Sequence, residues 1–261
     1  MNKQILCQRE GAIATVTLNN PDKLNAVNAA MWRELKVVMT ELSADESLRC
    51  VVLRGAGNKA FAAGGDIEEF ATLRATPEQA RIYHDEWVAG ALNAIVECRH
   101  PTVALIHGAC IGGGLEIAGQ CDLRICGGSA QFGVPISKLG FTMAHNELIG
   151  LISLAGPALA LEMLLEGRIL SADEAYVKGL VTRVVADDLV DAEVAASVKR
   201  IAAGAPLAAR AHKQLVRRLL PQIMPLSTAE IAANFAFLAS EDYRTGLDAF
   251  RKKIKPEFQG K

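Results

Sequence analysis

The sequence predicts an α/β fold built on a largely parallel sheet and followed by a helical tail. Three observations carry that prediction: short apolar, β-branched runs of strand length, amphipathic helical spacing between them, and a C-terminal third in which the strand signal fades. The chain has 261 residues, 51% of them hydrophobic, which is near the upper size of one core, so a large core with an appendage is expected.

Ile13-Ala-Thr-Val-Thr-Leu18 alternates and then breaks at Asn19-Asn-Pro-Asp22, which reads as a strand leaving into a turn. Met31, Leu35, Val38, Met39 and Leu42 recur at spacings of three and four, so an amphipathic helix follows Asn28. Cys50-Val-Val-Leu53 and Thr102-Val-Ala-Leu-Ile106 are wholly apolar, as strands covered on both faces are. A short helix is predicted over 113–120 and a strand over 123–126. Strands alternating with helices imply parallel pairing through right-handed crossovers. Beyond Ser171 only 180–185 reads as a strand. The remainder reads as helices over 172–178, 189–203, 207–220 and 228–253, with Pro206, Pro221 and Pro225 at boundaries and a Ser171-Ala-Asp-Glu174 capping box opening the first. The division expected is a core over 1–200 and a helical region over 201–261.

The 28 basic and 29 acidic side chains give a formal charge of −1, which lacks the basic stripe that phosphate neutralisation along a nucleic acid requires. The most apolar stretch, 151–161, is short for a membrane span and interrupted by Gly156 and Pro157, and the N-terminus carries no apolar signal segment. A cytoplasmic protein with no membrane partner is expected. Cys7, Cys50, Cys98, Cys110, Cys121 and Cys126 are scattered without Cys-x-x-Cys pairs or nearby paired histidines, so core packing is expected of them rather than disulfides or a metal site.

Two glycine clusters follow buried strands: Ala60-Phe-Ala-Ala-Gly-Gly-Asp-Ile67 and His107-Gly-Ala-Cys-Ile-Gly-Gly-Gly-Leu-Glu116. Glycine removes the side chain that keeps a ligand from the backbone, so either loop can aim N–H groups at an anion. Neither has the spacing of a nucleotide phosphate loop or of a dinucleotide fingerprint, and no Gly-x-Ser-x-Gly elbow is present. The plain alternative is a pair of tight turns. Two such loops after two buried strands, one running into a helix with a carboxylate in its first turn, favour a site.

Asn25-Ala-Val-Asn28, the 60–67 and 108–118 clusters, Cys121-Asp122, Ala130-Gln-Phe-Gly133, Gly167-x-x-Leu-Ser-Ala-Asp-Glu-Ala175 and Gly179-Leu-Val-Thr-Arg-Val184 together resemble the enoyl-CoA hydratase/isomerase, or crotonase, family, in order and over nearly the whole chain. The resemblance implies a spiral of ββα repeats with C-terminal helices that build a homotrimer or a dimer of trimers. It implies an acyl-CoA thioester substrate and no separate cofactor, because coenzyme A belongs to the substrate. By motif position, Gly65 and Gly113 supply two N–H groups to the thioester oxygen. Such preorganised donors stabilise enolate-like charge by several kcal/mol, at about 3 kcal/mol for a single donor. Glu116 falls at the family's first catalytic carboxylate. Its helix is otherwise almost entirely apolar, so burial is expected to raise its pKa into a range suited to proton transfer.

The resemblance places coenzyme and acyl contacts at Leu24, Ala26, Lys59, Ala63, Asp66, Ile67, Cys110, Gly112, Pro135, Ile136 and His145, with weaker support for Phe235 and the Lys252–Lys255 tail. One departure matters. Hydratases carry a second glutamate directly after the proline of Phe-Gly-x-Pro, where this chain has Phe132-Gly-Val-Pro-Ile136. Either one carboxylate serves both proton transfers or the reaction differs, as in decarboxylases and isomerases of the family. His145 and Glu147 lie where they could restore polarity, although a lone histidine is more often a structural hydrogen-bonder. Tyr83-His-Asp-Glu86 borders the acyl region in relatives, but its charge reads as a solvated helical face. A hydratase-type lyase is the leading expectation, an acyl-CoA decarboxylase or double-bond isomerase the alternative, and a non-catalytic thioester-binding scaffold the third.

Overall fold

A computed structural model of the chain describes residues 3–219 and 226–260. Among the described residues, ten strands form two sheets: β1 (Ile5–Glu10), β2 (Ile13–Leu18), β3 (Cys50–Gly55), β4 (Ala60–Ala62), β5 (Thr102–Ile106), β6 (Ala109–Ile111), β7 (Leu123–Gly127), β8 (Gln131–Gly133), β9 (Leu170–Ser171) and β10 (Arg183–Val185). The six-stranded sheet runs β1-β2-β3-β5-β7-β10, with only the β1–β2 pair antiparallel, and the four-stranded sheet runs β4-β6-β8-β9. The helices are α1 (Ala29–Ala44), α2 (Phe70–Leu73), α3 (Pro77–Arg81), α4 (Ala89–Glu97), α5 (Gly113–Gln120), α6 (His145–Glu166), α7 (Ala172–Val177), α8 (Val190–Ala203), α9 (Pro206–Leu219), α10 (Thr228–Asn234) and α11 (Glu241–Lys252).

The repeating unit is a strand in the large sheet, a strand in the small sheet, then helix: β3, β4 and α2–α4; β5, β6 and α5; β7, β8 and α6. This is the expected ββα spiral, and after β4 and after β6 the chain leaves the small sheet through the two glycine clusters. The alternation of side chains along a strand explains why the central strands are apolar on both faces. Val51, Leu53, Ala104 and Ile106 enter the main core with Met31, Leu35, Met39 and Leu42 of α1, while Cys50, Val52, Val103 and Leu105 turn to the other face under Val190, Val194 and Val198 of α8. All five apolar positions singled out on α1 are buried, and its first turn is capped by Asn28, whose side chain accepts the Met31 N–H at 2.9 Å.

Several elements differ from the sequence expectation. β1 and the four strands of the small sheet are two to six residues long and fall in polar or glycine-rich stretches, too short for periodicity to register. The strand expected over 180–185 is only Arg183–Val185, because Leu180 and Val181 turn back into the core. The single helix expected over 228–253 is three pieces, α10, a 3₁₀ turn at Ala236–Ala239 and α11, with Ser240 capping the last through the Tyr243 N–H. Leu220, Pro221 and Pro225 lie outside the described residues. The 151–161 stretch belongs to the 22-residue α6, which by length and mean hydropathy could cross a membrane. Gly156, at φ 73° and ψ 165°, divides it, and Leu151, Leu159, Ala160 and Met163 pack into the core. Of the cysteines, Cys7 is exposed and the other five are buried, as core packing requires.

Candidate active site

Both glycine loops open onto one cavity of ≈ 520 Å³. In the first loop, Val27 donates its N–H to the Gly64 carbonyl at 2.8 Å and Asp66 donates to the Val27 carbonyl at 3.0 Å. That parallel bridge consumes the groups flanking Gly65 and leaves the Gly65 N–H directed away from it. Gly64 adopts φ +120°, which a side chain at that position would strain. In the second loop, Gly113 is the first residue of α5, so its N–H has no partner within the helix. A methyl placed on Gly113 would sit 3.3 Å from the Gly65 nitrogen, so the two glycines converge on the same small volume. Gly114 holds them there: a methyl on it would lie 2.3 Å from the Ala62 carbonyl oxygen.

Glu116, one turn into α5, lines the cavity. Its side chain is partly uncovered because it faces that space, yet burial pushes its carboxyl well above the usual range, and Glu147 raises it further against the opposing pull of Arg74. Glu147, in the first turn of α6, also lines the cavity, and its carboxyl interacts with that of Glu116. Burial lifts it to about 8, again opposed by Arg74. The polarity absent at Ile136 is thus supplied from eleven residues downstream, while Ile136 itself forms part of the apolar wall.

His84 is buried, a correction to its reading as part of a solvated helical face. The helical run through 82–88 is π-helical, with the Ala89 N–H bonding to the His84 carbonyl, five residues back. This wider turn brings the consecutive Tyr83 and His84 both inward. His84 Nδ1 is hydrogen-bonded to Glu147 Oε1. Burial, helped by Arg74, holds the imidazole well below its ordinary pKa, so burial favours the neutral form of both partners and the contact is a hydrogen bond rather than an ion pair.

Of the predicted contacts, Ala26, Ala63, Asp66, Ile67, Gly112, Pro135 and Ile136 line the cavity. Leu24, Lys59, Cys110 and His145 do not. Leu24 is at the surface, its carbonyl accepting the Ala63 N–H at 3.0 Å, and Lys59 is an exposed loop residue. Cys110 is fully buried in the core, and His145, at the start of α6 two residues before Glu147, opposes that group's rise. Phe235 is buried against the His84 ring at 5.8 Å, so it backs the site from the C-terminal region. Sequence reasoning missed Lys23, Lys138 and Phe250 on the cavity wall, and above all Arg74, a fully buried guanidinium. Arg74 carries no periodicity signal, since it ends the four-residue α2. Among the described residues no cluster of three or more His, Cys, Asp or Glu could hold a metal ion.

The enoyl-CoA hydratase/isomerase family model matches residues 8–261. The chain belongs to the enoyl-CoA hydratase/isomerase family. A probable enoyl-CoA hydratase of Rhizobium meliloti is 34% identical over 259 residues, covering 98% of this chain and 97% of that protein. An enoyl-CoA hydratase/carnithine racemase structure from Magnetospirillum magneticum is 54% identical with a TM-score of 0.83, covering 100% of this chain and 97% of the other. A methylmalonyl-CoA decarboxylase structure shares the fold at a TM-score of 0.89 and 24% identity, covering 100% of both chains. The two-sheet spiral is therefore the crotonase fold.

Proposed function

We propose that the chain is an acyl-CoA thioester enzyme that stabilises an enolate between the Gly65 and Gly113 N–H groups, and that its reaction is the addition of water to a 2-enoyl-CoA. The observation that carries this reading is the pair of interacting carboxyls with raised pKa, Glu116 and Glu147, in the cavity onto which both glycine loops open. The two carboxyls interact and burial raises both, and the reaction uses the pair with one member ionised and the other protonated. The ionised member takes a proton from water as its oxygen bonds to the β-carbon. The protonated member delivers its proton to the α-carbon, and the electron pair that reached the thioester oxygen returns to the carbon skeleton. The pair ends with the one proton it began with. The two backbone donors meet the transient oxyanion with no reorganisation, the source of most of the acceleration at such sites.

Ile136 favours a second reading, a decarboxylase or double-bond isomerase, because an apolar wall in place of the usual carboxyl suits reactions in which no water is held. A homotrimer or dimer of trimers belongs to the same proposal, supported by the exposed Leu161, Leu165, Leu215 and Leu219 on α6 and α9, and a cytoplasmic location is proposed with it. The discriminating experiment incubates trans-2-enoyl, 3-enoyl and malonyl-type CoA esters with wild type, Glu116→Gln and Ile136→Glu, followed by mass spectrometry. Gain of one water in wild type and its loss in Glu116→Gln support hydration. Turnover only of the 3-enoyl or malonyl-type ester supports the second reading, and binding without turnover of any ester defeats both.

A further inference from the structure

Arg74 is 1% exposed, lines the cavity, and has no hydrogen-bond partner at Nε or Nη2 among the described residues. Its guanidinium sits over aromatic faces, 4.0 Å from the Phe70 ring centre, 4.8 Å from Phe141 and 5.7 Å from Tyr83. Ring faces attract the cation, but they cannot accept the in-plane N–H bonds of the guanidinium fork. The groups whose charge reaches it are Glu116, Glu147, Tyr83 and Tyr243, and none of the four hydrogen-bonds to it. The remaining neighbour from the helical side, His84, is occupied with Glu147. A buried cation with free donors, facing a cavity, is matched by an anion that brings two acceptors in one plane, which is a carboxylate.

From this geometry we infer that Arg74 is a carboxylate-binding subsite, and that the acyl group of the preferred substrate bears a free carboxylate. This rests on the reading of the cavity as an acyl-CoA site. The Phe70 ring gives the scale. Its edge is 3.4 Å from the position a Cβ would take on Gly65, and its face carries Arg74. The guanidinium and the Gly65 donor therefore border the same ring, one over its face and the other at its edge, which puts Arg74 within reach of the far end of a short dicarboxylic chain whose thioester carbonyl lies at Gly65 and Gly113. A carboxylate clamped by a guanidinium is stabilised as the anion, which opposes loss of carbon dioxide, so the group acts as a handle that survives the reaction. A quaternary ammonium on the acyl chain would meet like charge at the same place.

Calorimetric titration of wild type with succinyl-CoA, glutaryl-CoA and butyryl-CoA tests this without any turnover. The carboxylated ester of matching length is expected to bind on the order of tenfold or more tightly than butyryl-CoA, the weight of a charge-assisted pair. In Arg74→Met, which nearly conserves volume, that ratio falls to near unity, and in Arg74→Lys, which keeps charge but not the fork, it falls part of the way. With turnover as readout, glutaconyl-CoA should exceed crotonyl-CoA in kcat/KM by the same factor. Equal affinities in wild type overturn the inference, as does a preference that persists in Arg74→Met. Should that variant fail to fold by circular dichroism, a preference undiminished in Arg74→Lys overturns it instead. Failure of every ester to bind overturns the acyl-CoA reading of the cavity and this inference with it, whereas hydration of crotonyl-CoA without a carboxylate preference removes only the latter.

Discussion

Replacing Gly114 by alanine attacks the spacing of the two donor loops without touching either donor. The added methyl would lie 2.3 Å from the Ala62 carbonyl oxygen and 3.0 Å from its carbonyl carbon. Ordinary carbon–oxygen contacts are about 3.3 Å or longer, so α5 and β4 must separate by ~1 Å. The obstacle is backbone, held by the parallel pairing of β4 with β6, and cannot swing aside as a side-chain tip could. Because Gly113 adjoins Gly114, and Ala62 leads directly into Gly64 and Gly65, the separation is transmitted to both N–H donors. A misplacement of ~1 Å at a reacting centre costs about 10²-fold in rate. Overpacking of this kind costs about 1–3 kcal/mol, and at this chain length each kcal/mol lowers Tm by about 2–4 °C. The assay is kcat and kcat/KM on the best thioester of the panel, alongside thermal unfolding. Gly119→Ala, in the same helix, is the control. Its methyl meets only the end of the Leu154 side chain at 3.3 Å, so rate and Tm should stay close to wild type. Wild-type kinetics in Gly114→Ala would refute the argument that close packing of α5 on β4 positions the donors, and a lowered Tm with unchanged kcat would refute it equally.

Glu147→Gln should flatten the pH dependence of stability. The folded protein holds a proton on Glu147 up to about 8, while the unfolded chain releases it near ~4.3, so between those values the folded state binds more protons and stability falls as pH rises. Denaturant titrations across that window should show the variant gaining on wild type toward pH 8, and parallel curves would refute the assignment. Asp122 accepts the Thr102 N–H and hydroxyl and pairs with Lys213 at 2.8 Å and Arg217 at 2.9 Å, tying α9 to the large sheet. Asp122→Ala leaves the buried Lys213 ammonium bonded to the His100 carbonyl but without its counter-charge, and should cost about 3 kcal/mol in chemical unfolding at neutral pH. Although burial raises Asp122, Lys213 and Arg217 hold it below the ordinary carboxylate range. Its stabilisation is therefore present above the unfolded value near ~3.9 and is lost as pH falls through the folded one, so the variant should converge on wild type in acid.

The sequence alone determined the elements whose residues repeat with a period. β2, β5 and α5 begin and end at the predicted residues, and the five apolar positions of α1 all face the core, because a strand or helix face must be written in consecutive residues to be buried at all. The two glycine clusters were legible for a related reason: close approach of backbone to backbone or to a ligand excludes every side chain, and that exclusion is visible in composition. The raised carboxyl of Glu116 followed from the apolar helix that carries it. The rest of the site is written in no period. Ile136 reads as the loss of a carboxyl, and only the fold brings Glu147 into the same cavity. Tyr83 and His84 turn inward together through one widened helical turn, against the α-helical spacing their sequence suggests. Arg74, the residue on which substrate choice is inferred to depend, looks in sequence like any cation at the end of a short helix. Its burial arises from Phe70, Tyr83 and Phe141, which stand 4 to 67 positions away and meet around it only when the chain is folded. Local periodicity encodes which face of an element is dry; which charges share one dry space is a property of long-range contacts, and these tertiary structure alone decides.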